Sequence, residues 1–217
     1  MPAVPVAAAL LIAAGAVAIV DWWAVAGSHR LVELWAKPLT MALLVGVAAT
    51  AGNSDGGVRS WLVAGAVLGL AGDIALLGDG EAAFMVGLGA FAFGHLAYAI
   101  AAVLVGFDST WALFGVAFMT GMIGFRFATR TVPGARRRGG SALAGAVVGY
   151  ACVITAMVVT AWGTTAVLAG IGAMAFATSD WVLGHERFVG PLPGGRMSVI
   201  VPYHVGQAML IVGLSTA

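Results

Sequence analysis

Apolar runs of roughly 17 to 22 residues, bounded by Trp, Pro or charge, recur along the whole chain, the length with which a helix crosses a ~30 Å hydrocarbon core. Eight runs can be counted: Val4 to Val20, Ala36 to Thr50, Trp61 to Leu77, Ala83 to Val105, Trp111 to Ala128, Ser141 to Thr160, Thr164 to Trp181 and Val199 to Ser215. The second is short for a full crossing. The pattern predicts an all-α fold, a bundle of eight transmembrane helices. The connections are short, so residues 1–217 are expected to form one eight-span domain without a linker or soluble module. All seven Trp (Trp22, Trp23, Trp35, Trp61, Trp111, Trp162, Trp181) fall at or just beyond run ends, where interfacial anchoring expects them.

Composition agrees. Hydrophobic residues make up 61% of the chain and charged ones 9%, with mean hydropathy +1.03. Soluble domains carry about a quarter charged residues, so an integral, multi-pass membrane protein is expected, placed in the cell membrane. A net charge of +1 leaves no footprint for nucleic acid. The single Cys152 sits mid-span and reads as core filling, with no intramolecular disulfide open to it. Arg dominates the basic residues, and Ala and Gly are abundant, which hints at a GC-rich bacterial genome. "AVAG" at 24–27 resembles a cleavage site, but no Lys or Arg precedes the first apolar run, so no signal-peptide cleavage is expected.

Orientation follows from basic charge. The loops after runs 1, 3, 5 and 7, with their flanks, hold Arg30, Lys37, Arg126, Arg130, Arg136, Arg137, Arg138, Arg187 and Arg196, whereas the opposite side holds Arg59. The positive-inside rule makes the first side cytoplasmic and places both termini outside. "ARRRGG" (135–140) is read as this topology signal. Small residues at helical spacing, such as Gly65 and Gly69, Gly115 and Gly121, or Gly145 and Gly149, predict close helix packing.

Ionisable residues inside spans are costly and carry a functional reading by default. Here they are Asp73, His95, Arg126, Asp180 and His204, with Gln207 one turn beyond the last. Asp73 lies roughly 6 Å from the cytoplasmic end of its run and His204 roughly 8 Å from the same side, at 1.5 Å per residue. Asp180 is at that end too, and Lys37 and Asp21 border it. His95 and Tyr98 sit deeper. The set describes a pocket opening toward the cytoplasmic leaflet. "LAGDIALLG" and "FATSDWVLG" also echo one another, each with a His in the next span (His95, His204), as a duplication of four helices would produce.

Three chemistries compete for these residues. In the structural one, Asp73 pairs with Arg126 or Lys37, His95 bonds a backbone carbonyl, and the bundle transports a small molecule or lipid, or only sits in the membrane. In the second, Asp73, Asp180, His95 and His204 ligate zinc and activate water, although no closely spaced ligand motif is present. In the third, two carboxylates in unlike environments divide acid and base roles without a metal, as suits hydrolysis through an oxocarbenium-like state.

The runs "AKPLTM" (36–41), "GDIALLGDGEAAFMVGLGAFAFGHLAY" (72–98), "SDWVL" (179–183) and "YHVGQAML" (203–210) resemble, in order and over nearly the whole chain, the lysoplasmalogenase family, also called YhhN-like. The combination of G-D, F-x-x-G-L-x-x-F-x-x-G-H-x-x-Y and Y-H-x-x-Q is fairly specific. The resemblance implies a membrane hydrolase that cleaves the vinyl ether bond of lysoplasmalogens to a fatty aldehyde and glycerophospho-ethanolamine or glycerophosphocholine, with a lysophospholipid partner, no cofactor and an open oligomeric state. On that chemistry Asp73 or Asp180 is the acid and the other the base, and His204 and Gln207 orient the water or the ether oxygen. His95 marks the deep end where the chain begins, beside Tyr98 and Tyr203 of the motifs, while Lys37 and Arg126 hold the phosphate.

Overall fold

Long apolar runs satisfy their backbone groups internally only as helices when water is excluded, and the computed structural model, which describes residues 3–52 and 55–217, is helical accordingly. Its α-helices are α1 (Ala3–Ala26), α2 (Arg30–Thr50), α3 (Gly56–Leu76), α4 (Glu81–Val105), α5 (Ser109–Arg126), α6 (Val132–Gly163), α7 (Val167–Phe188) and α8 (Met197–Ser215). No strand occurs among the described residues. Asp55 caps α3 by accepting from the Val58 amide at 2.8 Å. Asp108 caps α5 in the same way, from Thr110 and Trp111 at 2.8 and 3.0 Å.

Among the described residues seven helices are long and apolar enough to cross a membrane, so the expected count of eight is not reproduced as eight separate spans. The expected fifth and sixth runs form one helical stretch of 55 residues, from Ser109 to Gly163. A π-helical turn, Phe127–Thr131, joins α5 to α6. The arginine-rich segment expected as a loop is instead the start of α6. Its backbone leaves helical geometry at Gly139 and Gly140, and that of α5 does so at Gly124. α2 also starts earlier than its apolar run, at Arg30, because Glu33 in its first turn is buried and paired.

The bundle is apolar outside and carries buried polar residues within an apolar core. Ile12, Leu31, Val86, Phe93 and Leu113 are all more than half exposed, while Asp21, Glu33, Asp73, His95, His204 and Gln207 are buried. A surface of this kind suits lipid rather than water. One apolar core draws on all eight helices, from Ala14 through Leu62, Met119 and Met157 to Leu214.

Two hairpins are packed closely enough to need glycine. A methyl group on Gly172 of α7 would lie 2.4 Å from the Leu210 amide nitrogen of α8, and one on Gly206 would lie 2.6 Å from that of Phe176. Between α3 and α4, a methyl on Gly65 would stand 2.6 Å from the Tyr98 ring, and one on Gly72 2.7 Å from Phe91. Of the expected small-residue pairs, Gly65, Gly69 and Gly115 stand at such approaches, whereas a methyl on Gly121, Gly145 or Gly149 would meet nothing within 4 Å.

Candidate active site

The apolar helices carry their few polar side chains inward, and these gather in two networks. In the first, Asp73, near the end of α3 and 1% exposed, has Lys37 Nζ of α2 at 3.1 Å. Its other carboxylate oxygen accepts from the Tyr203 hydroxyl of α8 at 2.7 Å. Beside it the Tyr98 hydroxyl of α4 donates to Gln207 Oε1 at 2.8 Å. Lys37 precedes Pro38 and Tyr203 follows Pro202, both inside their helices, where proline removes a backbone bond.

In the second network Asp180 of α7 accepts from the Tyr150 hydroxyl of α6 at 2.5 Å, and His95 Nε2 of α4 lies 2.9 Å from the same oxygen. His95 Nε2 is also 2.9 Å from the Tyr150 oxygen. A hydrogen bond with an ionised carboxylate requires the proton on Nε2. No cation stands in this network among the described residues.

An aromatic wall separates the two. The Tyr203 ring lies 5.8 Å from Phe91 and 5.3 Å from Phe176, both edge to face, and Phe176 lies 4.6 Å from the His95 ring.

Two hollows adjoin one another nearby. A polar cavity of about 420 Å³ opens where α1, α3 and α7 end and α2, α4 and α8 begin. Its charged lining is Glu33, Lys37, Asp79, Glu186, Arg187 and Arg196. Glu33 is ion-paired with Arg30 at 3.4 Å and closely with Arg196, and the Arg30 guanidinium donates to the Leu77 carbonyl. An apolar cleft of about 70 Å³ continues inward past Leu88, Phe91, Met119 and Ile154 to Tyr150 and Asp180. Leu76, Phe84 and Leu183 line both.

Lys37, Asp73, Tyr98, Tyr203 and Gln207 are therefore brought together, as are His95 and Asp180. His204 is not with either group. Its Nδ1 accepts from Trp22 Nε1 at 3.1 Å, and it lines a third hollow of about 100 Å³ beside Leu11 and Leu44. One residue from Tyr203 is about 100° around a helix, which turns His204 toward α1 and α2. The side chain of Arg126 lies outside the described residues. The four residues of the zinc reading fall in three separate places, and no group of three or more His, Cys, Asp or Glu among the described residues stands close enough to hold a metal ion. Sequence reasoning missed Tyr150. The chain has three Tyr, and all three belong to these networks, a signal that was available.

An apolar exterior around buried carboxylate, histidine and tyrosine networks, with a charged cavity beside an apolar cleft, defines a polytopic membrane protein with an internal site. The chain belongs to the YhhN family, the family of lysoplasmalogenases, whose sequence model matches residues 32–214. That match takes in every residue of both networks. No curated protein and no solved structure matches the chain.

Proposed function

We propose that the protein hydrolyses the vinyl ether bond of a lysoplasmalogen, with Asp180 as the proton donor. The single-chain lipid sits with its headgroup in the polar cavity and its chain in the apolar cleft. Lys37, Arg187 and Arg196 face the phosphate. The bond between them, just beneath the glycerophosphate, then reaches the wall that carries Asp180 and Tyr150. The observation that carries this reading is the placement of a carboxylate with two hydrogen-bonding partners, Tyr150 and His95, on the wall of an apolar cleft that adjoins a charged cavity.

In the first step the Asp180 carboxylic proton passes to the β-carbon of the vinyl ether and the alkene pair forms the new C–H bond, leaving an oxocarbenium ion on the α-carbon and a carboxylate on Asp180. Water adds to the α-carbon and gives its proton back to Asp180. The resulting hemiacetal collapses by breaking its bond to the glycerol oxygen, with proton transfer to that oxygen, to aldehyde and alcohol. Tyr150 and His95 hold the Asp180 carboxylate in place and stabilise its charged form. Asp73 and Tyr203 position Lys37, and the buried Tyr98–Gln207 hydrogen bond braces α4 against α8 behind the wall.

In the same reading Ser109–Gly163 crosses the membrane twice. At 1.5 Å per residue its 55 residues would extend more than 80 Å, well beyond one ~30 Å core. That gives eight crossings, both termini outside, and a cytoplasmic polar cavity in a bacterial plasma membrane.

Purified protein in detergent is expected to release fatty aldehyde from lysoplasmenyl-ethanolamine and to leave the ester-linked lysophosphatidylethanolamine intact. Cleavage of the ester, or of neither lipid, overturns the proposal.

A further inference from the structure

α5 and α6 are pinned at one end and apart at the other. A methyl group on Gly115 would lie 2.8 Å from Val159 Cα and 3.0 Å from the Val158 carbonyl, so the two backbones touch toward the start of α5 and the end of α6. About two and a half turns along α5, a methyl on Gly124 would meet nothing within 4 Å. There the α5 backbone departs from helical angles (φ 13°, ψ −157°), and a π-helical turn follows at once. π-turns of this kind are frequent at functional positions. The wedge so formed is a hollow of about 360 Å³ lined by Val116, Met119, Thr120, Ile123, Gly124 and Thr155. Met119 and Ile123 also line the cleft that ends on Asp180, so the hollow and the cleft meet across one pair of side chains. Val116 is 44% exposed on the lipid-facing side of α5, while Met119 is 2% exposed. The wedge thus runs from the lipid surface to the centre of the bundle.

We propose that this wedge is a lateral portal through which a single hydrocarbon chain of a membrane lipid passes from the bilayer into the cleft beside Asp180. The occupant is a chain rather than a helix or a headgroup. The lining is apolar apart from two threonines, and Thr155 already spends its hydroxyl on the Ala151 carbonyl at 2.6 Å. The cleft beyond holds about 70 Å³ and is lined mainly by apolar side chains. The route needs no passage of the chain through the charged cavity, whose lining residues would have to be parted around an apolar tail at a cost in desolvated charge. The inference rests on the proposed function only in taking the chain's first bond as the one presented to Asp180.

The test uses a saturated 1-alkyl lysophosphatidylethanolamine carrying a diazirine midway along its chain, which the chemistry above leaves uncleaved. It is photolysed with the protein in vesicles, and adducts are mapped by mass spectrometry. Adducts are expected on α5 between 116 and 124 and on α6 around 151–155, competed by unlabelled alkyl lysolipid. Thr155→Trp, which fills the wedge, is expected to reduce them by about tenfold or more, with its thermal midpoint recording that the fold is kept. The competition experiment on the unsubstituted chain stands if that variant fails to fold. Adducts confined to the third hollow between α1, α2 and α8, adducts that unlabelled lipid does not compete, or no adducts, overturn the portal. Competed adducts at the wedge in a protein that never releases aldehyde would leave the portal standing and remove the hydrolase reading instead. Aldehyde release without them would do the reverse.

Discussion

The hairpins α3–α4 and α7–α8 are built to one plan and used differently. Each is closed by glycines against its partner helix, at Gly65 and Gly72 in one and Gly172 and Gly206 in the other. Each carries an Asp near the end of its first helix and a His in its second. The pairing between them is crossed: Asp73 of α3 bonds to Tyr203 of α8, and Asp180 of α7 bonds to His95 of α4. Tyr98 and Gln207, each three residues after its hairpin's His, bond to one another. What differs is the third partner. Asp73 takes a cation, Lys37, from α2 and is sealed behind it, while Asp180 takes a neutral hydroxyl, Tyr150, from α6 and stays on a cavity wall. A fixed counter-ion suits a group that organises charge; a neutral donor on an open wall suits one that exchanges a proton.

The sharpest way to break this contrast is to remove the cation. Lys37→Met leaves Asp73 buried without a counter-charge and should cost about 3–5 kcal/mol of stability, the scale for breaking one side of a buried pair. Thermal unfolding in detergent should show a large drop in midpoint that the double change Lys37→Met, Asp73→Leu largely restores. An undiminished midpoint for Lys37→Met would mean that the pair does not organise the bundle.

Next in size is the effect on chemistry. Asp180→Asn should lower kcat by about 10²-fold or more, some 2.7 kcal/mol of barrier, with little change in thermal midpoint. Asp73→Asn should act chiefly on KM, through a displaced Lys37. If both variants lose kcat equally and the double variant loses little more, the carboxylates work as one acid–base unit, and the contrast drawn above is wrong.

The smallest effect refines the role of the neutral partner. Tyr150→Phe removes one donor to a carboxylate and should slow turnover by about tenfold, roughly 1.4 kcal/mol, with KM nearly unchanged. A loss as deep as that of Asp180→Asn would make the tyrosine, rather than the aspartate, the proton donor.

Most of the helices were legible because lipid enforces a simple rule, that an apolar stretch must be helical and long. The boundary errors have the same origin. Arg30 and Glu33 read as loop, yet their charges are spent on one another, on Arg196 and on the Leu77 carbonyl, so the helix extends through them. The arginine-rich segment parts the fifth and sixth runs in hydropathy but not in backbone, which stays helical or π-helical through it with breaks at Gly124, Gly139 and Gly140. In the site, Asp73 and Asp180 stood out by charge alone. Tyr150, in "VVGYACV", carries no charge and sits in an unbroken apolar run. His204 was visible but its direction was not, since a neighbouring position on a helix faces about 100° away.

The bonds made by α8 bear on how the protein comes to exist. Tyr203 reaches Asp73, Gln207 reaches Tyr98, His204 reaches Trp22, and Arg196 just before the helix reaches Glu33. All four targets lie in the first four helices, which leave the ribosome long before α8 does. While the chain is being made, those groups have entered the membrane without these partners, so the nascent bundle is held in an incomplete state until its last described helix inserts. Insertion of α8 is the step that closes these four contacts, and a chain stopped before Arg196 leaves Asp73, Tyr98, Trp22 and Glu33 without them.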